Sequence, residues 1–149
     1  MANGRIAMPS NEKFERFKHR LINENEKTYG KEVRSKFGDD EVDASNAKLM
    51  GMTEEQYAEV ERLSAAINGT LKNAVANGDP SCELAQKACD LHRQWLCKFW
   101  RDGAYSKEAH RGLGEMYVAD ERFVKYYDAI APGCAEFLRD ALDVYCGSK

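Results

Sequence analysis

From Cys82 to Trp100, apolar side chains fall on nearly every face of one uninterrupted helical stretch: Leu84, Ala85, Ala88, Cys89, Leu91, Trp95, Leu96, Phe99 and Trp100. A helix that is apolar most of the way round must be covered most of the way round. This segment therefore predicts a central buried helix with other helices laid against it. The rest of the sequence supplies them. Thr53-Glu54-Glu55-Gln56 reads as a capping box, with a threonine cap and a glutamine three residues on. Behind it Tyr57, Val60, Leu63, Ile67, Leu71, Ala74 and Val75 form one stripe. Asn77-Gly78-Asp79-Pro80 is a stop and turn, and Ser81 is read as the cap of the central helix.

Downstream, Ser106 caps a segment carrying Leu113, Met116, Tyr117 and Val118, and Asp120 opens one carrying Phe123, Tyr126, Tyr127 and Ile130. Pro132 and Gly133 start a last helix with Cys134, Phe137, Leu138, Ala141, Leu142 and Tyr145. No β-branched run alternates between turn residues, so strands are not expected. The fold class is all-α: a compact helical bundle of about five to seven helices, with bundle-like or globin-like packing.

The first third is weaker. Residues 1–10 read as a disordered lead-in, and a helical pattern starts at Asn11 with Phe14, Phe17, Leu21, Ile22, Tyr29, Val33 and Phe37. Its middle, Asn23 to Thr28, is wholly polar, and Gly30 costs roughly 1 kcal/mol against alanine. Two helical pieces or one marginal helix follow from that. Gly38-Asp39-Asp40 breaks the pattern, a short segment carries Val42, Ala47, Leu49 and Met50, and Gly51 ends it. The organisation expected is a lead-in over 1–10, an N-terminal helical lid segment over 11–52 and a helical ligand-binding core over 53–149, within one domain.

Charge and cysteine usage remove several function classes. Net charge is −3 and the pI is near 5.7, without the basic face that direct nucleic-acid binding needs. No apolar run is long enough for a membrane span, and Met1 to Pro9 has no secretory h-region. Five cysteines, an odd number, with no export signal place the chain in a reducing cytoplasm.

Enzymatic signatures are missing. No phosphate loop or serine nucleophile elbow occurs, and no pair of carboxylates stands out as acid and base. Cys89 and His92, three apart, could face one metal ion, but CxxC and HExxH are absent and nothing supplies further ligands. Gly112 and Gly114 fit close helix packing better than phosphate binding. The chain is read as a binding protein with no catalytic residues, no metal and no cofactor.

The aromatics are unusual. Trp95, Phe99, Trp100, Tyr105, Tyr117, Phe123, Tyr126 and Tyr127 lie close together in sequence. Trp95, Phe99 and Phe123 read first as core. Trp100 and Tyr105 flank a loop with Arg101, Asp102 and Gly103, and there the residues fit a core stripe and the mouth of an apolar cleft equally well. Cys97, next to Lys98 and near Arg101, is the candidate reactive thiol; the plain alternative for every cysteine is small-hydrophobe packing.

These residues carry a resemblance. Leu91-His92-Arg93-Gln94-Trp95-Leu96-Cys97, the stretch from Tyr105 to Phe123 and Tyr126-Tyr127-Asp128 look like the TipA-type antibiotic-recognition domain, often the effector part of MerR-family activators. The specific part is H-x-G-L-x-x-M-Y-V-x-D-x-R-F, from His110 to Phe123. Tyr29-Gly30-Lys31-Glu32 and Val42 to Lys48 are similar too, so the resemblance spans about residues 12–146 and is strongest after 90.

It implies a globin-like fold without haem that binds large heterocyclic peptide antibiotics, thiopeptide- or albicidin-like. Trp100, Tyr105, His110 and Tyr117 would meet the ligand, with His92, Trp95, Phe99 and Met116 around them, and Phe14, Phe17 and Tyr29 would close from the first segment. Some family members capture thiopeptides through a cysteine just before the histidine-bearing helix. Tyr105 stands at that place, which implies reversible binding unless Cys97 substitutes. The alternatives are a globin-like cofactor protein with His92 or His110 as ligand and a protein-interaction helical domain. A homodimer is compatible with the sequence.

Overall fold

The computed structural model describes residues 10–147. The lead-in expected for residues 1–10 lies outside them apart from Ser10, which already belongs to the first helix. Among the described residues the architecture is all-helical, and no helix is long and apolar enough to cross a membrane. The chain divides into two compact units. One runs to Glu59 and takes in Phe99–Arg101; the other comprises Val60–Lys98 and the chain from Asp102 onward.

The first unit begins with α1 (Ser10–Asn25), which passes through a π-helical turn (Glu26–Gly30) into α2 (Lys31–Phe37). The turn falls in the stretch the sequence marks as marginal. A π turn admits one extra residue per turn and needs local compensation. Arg34 supplies it: its Nε donates to Glu26 Oε1 at 3.0 Å, and its other nitrogens donate to Asp39 at 2.9 Å and Asp43 at 2.8 Å. Asn46 also donates to Glu26, at 2.9 Å. The Arg34 hydrogen bond, foremost, holds the Glu26 carboxyl below its ordinary range.

Gly38, at φ +92°, separates α2 from α3 (Asp39–Met50). The break is that single residue, because Asp39 and Asp40 already begin the next helix. Lys18 on α1 is fully buried. Its Nζ donates to the carbonyls of Met50 at 2.6 Å and Met52 at 2.9 Å, and pairs with Glu15 at 2.9 Å. The Met50 carbonyl is one that the end of α3 leaves without a helical partner, and Met52 lies just beyond that end. Phe14 and Phe17 pack on Tyr57, with ring centroids 6.0 and 5.3 Å away.

The capping box forms as read. Thr53 Oγ1 accepts from the Gln56 amide at 3.1 Å, and Gln56 Oε1 accepts from the Thr53 amide at 2.9 Å. It starts α4 (Glu54–Asn77), which gives its first turns to the first unit and the rest to the second.

In the second unit α4 buries Val60, Leu63, Ile67, Leu71 and Ala74. α5 (Glu83–Phe99) is less enclosed than its sequence suggests. It buries one stripe of Ala85, Ala88, Cys89, His92 and Leu96, whereas Leu84 is exposed and Leu91 and Trp95 are half-buried. Nor does Ser81 cap it. Ser81 donates its amide and hydroxyl to Asp79 Oδ1, and the thiol of Cys82, one residue later, accepts from Ala85 N at 3.4 Å.

Ser106 caps α6 (Lys107–Ala119) by accepting from Ala109 N at 3.0 Å, and Asp120 caps α7 (Glu121–Asp128) by accepting from Arg122 N at 2.9 Å. α8 (Cys134–Gly147) follows Gly133, which sits at φ +79°. α6 and α8 pack most closely. A Cβ on Gly114 would stand 2.9 Å from Leu142 Cδ1 and 3.5 Å from Arg139 Cα. The glycine there serves close helix packing, as its sequence context indicates.

Candidate functional site

A polar chain runs through the apolar interior of the second unit. His92 projects from the buried stripe of α5, and His110 and Tyr117 from that of α6. His92 Nδ1 lies 2.8 Å from His110 Nε2, and His92 Nε2 lies 3.2 Å from the Tyr117 hydroxyl. His110 Nδ1 lies 2.7 Å from the hydroxyl of Tyr105, which the loop before α6 brings in. Tyr117 is hydrogen-bonded onward to Tyr127 of α7, with ring centroids 4.8 Å apart. His92 is 2% and His110 0% exposed, whereas Tyr105 is half-buried.

Burial decides the electrostatics. Desolvation, reinforced by the other ring, lowers the His92 pKa to about 3; desolvation, then the Arg93 charge, lowers that of His110 to about 4. Both imidazoles are neutral at physiological pH. Desolvation also raises the tyrosine hydroxyls at 105 and 117 above their ordinary range.

Around the histidines is an aromatic wall. Trp95 stacks on His92 at 5.9 Å and 17°, and Tyr145 meets His110 edge-on at 5.8 Å. Tyr145 leads toward solvent through Asp90 and Arg93. Its hydroxyl donates to Asp90 Oδ1 at 2.7 Å, and Arg93 Nε lies 3.1 Å from both that hydroxyl and Asp90 Oδ1. The Tyr145 bond, foremost, lowers the Asp90 pKa. No buried side-chain nitrogen or oxygen among the described residues lacks a partner.

The sequence-predicted residues separate into two groups. His92, Trp95, Tyr105, His110 and Tyr117 converge on this network. Met116 sits half-buried beside them on α6, and Cys97 is exposed near the end of α5. Phe14, Phe17, Tyr29, Phe99 and Trp100 belong to the first unit. There Trp100 packs on Phe37 at 6.0 Å, and its carbonyl accepts from Lys48 Nζ at 2.6 Å. Trp100 therefore takes part in the first unit's packing, whereas Tyr105 belongs to the second.

Sequence reasoning passed over Asp90, Arg93 and Tyr145 as site residues. The signal available was the three-residue spacing of Asp90 and Arg93 on the helix that carries His92. Haem ligation by His92 or His110 does not fit, because both ring nitrogens of each are already engaged. Nor do three or more His, Cys, Asp or Glu side chains gather anywhere among the described residues as metal ligands would.

The TipAS antibiotic-recognition domain matches residues 29–145. The chain belongs to the TipAS family. Within it, the chain is 34% identical over 116 residues to the HTH-type transcriptional activator TipA of Streptomyces coelicolor, an alignment covering 76% of this chain and 45% of that protein. It is 27% identical over 125 residues to the HTH-type transcriptional activator mta of Bacillus subtilis, covering 84% of this chain and 48% of that one. This TipAS domain thus spans about half the length of the curated relatives it matches.

A solved TipAS structure from Streptomyces lividans, in complex with nosiheptide, is similar at TM-score 0.60 and 31% identity, covering 82% of this chain and 85% of that one. The all-α fold is shared. The TipAS match spans both units, from the π turn to Tyr145 of the polar network.

Proposed function

We propose that this chain recognises a bulky, heterocycle-rich peptide antibiotic of the thiopeptide class and holds it reversibly. The observation that carries the reading is the likeness to TipAS solved with nosiheptide, a thiopeptide antibiotic. The second unit offers suitable chemistry. Trp95 and Tyr105 are half-buried aromatics backed by a satisfied polar network, and Arg93 and Asp90 sit at its outer end as partly exposed polar handles. His110, Tyr117 and His92 act from behind, fixing the Tyr105 hydroxyl, and Met116 adds to the apolar surroundings. Trp100 is assigned to ligand contact, and Phe14, Phe17 and Tyr29 to the segment that closes over the ligand. Tyr105 and the exposed Cys97 are the two positions that bear on covalent capture, and the reading assigns capture to neither.

Nosiheptide titration tests this directly. Binding quenches the tryptophan emission and raises the melting temperature by mass action; at 100 times Kd the stabilisation is about 2.7 kcal/mol. Intact mass after incubation stays that of the unmodified chain. No quench and no thermal shift at high-micromolar nosiheptide, thiostrepton and albicidin alike overturns the reading. A stable adduct overturns the reversible part alone.

A second reading concerns what binding achieves. The alignments reach about half of two transcriptional activators. We propose that the domain serves as the effector half of a MerR-type activator, with DNA contacted by another segment or partner; simple sequestration of the drug is the competing role. A helix-turn-helix in the same natural reading frame supports the effector role, and resistance conferred by this chain expressed alone supports sequestration.

A further inference from the structure

A neutral imidazole has one donor nitrogen and one acceptor nitrogen, and a phenol in a chain has one proton to give. These counts constrain the Tyr105–His110–His92–Tyr117 series severely. Its three contacts, of 2.7, 2.8 and 3.2 Å, use every ring nitrogen of both histidines. If His92 donates from Nδ1 to His110 Nε2, then His110 must carry its proton on Nδ1 and give it to Tyr105, while Tyr117 gives its proton to His92 Nε2. If His110 donates from Nε2 instead, all three bonds reverse. Mixed arrangements set two protons or two lone pairs against each other across the 2.8 Å contact.

We propose that Tyr105, His110, His92 and Tyr117 form a two-state hydrogen-bond relay, in which both buried imidazoles always carry their proton on the like-named nitrogen and change together. Two phenols compete to donate into the relay, and one must turn its proton elsewhere. For Tyr117 the outlet is Tyr127; for Tyr105, the half-buried end, it is Cys146 or whatever stands outside. An acceptor placed on Tyr105 draws its proton outward and sets both rings to Nδ1–H. A donor there sets both to Nε2–H. The relay thus carries the polarity of a group at the loop before α6 to Tyr117 and Tyr127, on α6 and α7.

Long-range ¹H–¹⁵N correlation of the imidazoles in the full chain at pH 7 reads this, with exposed His19 as reference. His92 and His110 show the same tautomer, or the same average of two. Opposite tautomers, or a charged ring at pH 7, overturn the relay. Substitution adds a cross-check, because an orphaned buried N–H is rarer than an orphaned acceptor and each variant leaves the bare nitrogen at its own end. Tyr105→Phe sets both rings to Nε2–H, including His92, which Tyr105 does not touch. Tyr117→Phe sets both to Nδ1–H. An identical His92 tautomer in the two variants overturns the proposal. Should either variant fail to fold, the unsubstituted chain decides it, since matching or opposite tautomers are read there without any mutation.

Discussion

The Nζ of Lys18 lies 2.6 Å from the carbonyl oxygen of Met50 and is fully buried there. A long cationic side chain on α1 thus closes the end of α3, where helical carbonyls have no partners of their own. Lys18→Met keeps the apolar stem and removes the donor, stranding the Met50 and Met52 carbonyls. The expected loss is about 2–4 kcal/mol, read as a lower urea midpoint. A midpoint equal to that of the unsubstituted chain would show that water satisfies those carbonyls equally well.

The glycines of α4 and α6 give a paired prediction. Gly69 lies in α4 with nothing within 4 Å of an added Cβ, so Gly69→Ala raises stability by about 0.5–1 kcal/mol. Gly114→Ala puts a Cβ 2.9 Å from Cδ1 of the fully buried Leu142 and 3.5 Å from the Arg139 backbone. Overpacking there costs about 1–3 kcal/mol, more than the helix propensity gained. Opposite shifts in melting temperature check both substitutions.

Acid weakens the fold through the two buried histidines. Their folded pKa values, about 3 and about 4, lie below the ordinary 6.5, so the unfolded chain binds more protons at mildly acidic pH. Stability is full above about pH 6.5 and is lost as pH falls from there toward 4. The two sites together give on the order of 3 kcal/mol between pH 7 and pH 5, before most carboxylates titrate. Urea midpoints across that range measure it; a flat profile would mean the rings accept protons without unfolding.

Thiol labelling of the native protein should be ordered by position. Cys97 is exposed, whereas Cys89 and Cys134 are buried, and desolvation pushes their thiols up to about 12 and about 11. Cys97 reacts first with a soluble disulfide reagent, and Cys89 and Cys134 react only on unfolding. Peptide mapping after brief labelling identifies the sites.

Local rules made much of this molecule legible before any coordinates. Thr53, Ser106 and Asp120 announce helix starts because caps act within three residues, and the Gly112–Gly114 pair announces a close approach because glycine inside a helix costs stability unless packing uses the space. The marginal stretch before Gly30 is visible because polarity and glycine both disfavour helix, although a π turn in place of a break depends on Arg34 meeting Glu26. Longer-range facts are hidden. Lys18 sits in a charged helix and reads as solvent-facing until the end of α3 is placed on it. His92 and His110 are eighteen residues apart on different helices, and the rotation of each about its axis decides that they meet. Trp100 follows α5 in sequence yet packs with Phe37, which no local rule contains.

The π turn at Glu26–Gly30 changes what a small deletion means in this protein. A π turn takes about one residue more than an α turn to complete the same rotation. Removing one residue there restores a regular helix and leaves α2 facing nearly the same way about its axis. Removing one from a regular α turn, with nothing to absorb it, rotates whatever follows by roughly 100°. The π turn is thus a length reserve: a one-residue deletion within it is absorbed, and the faces of α1 and α2 keep their register.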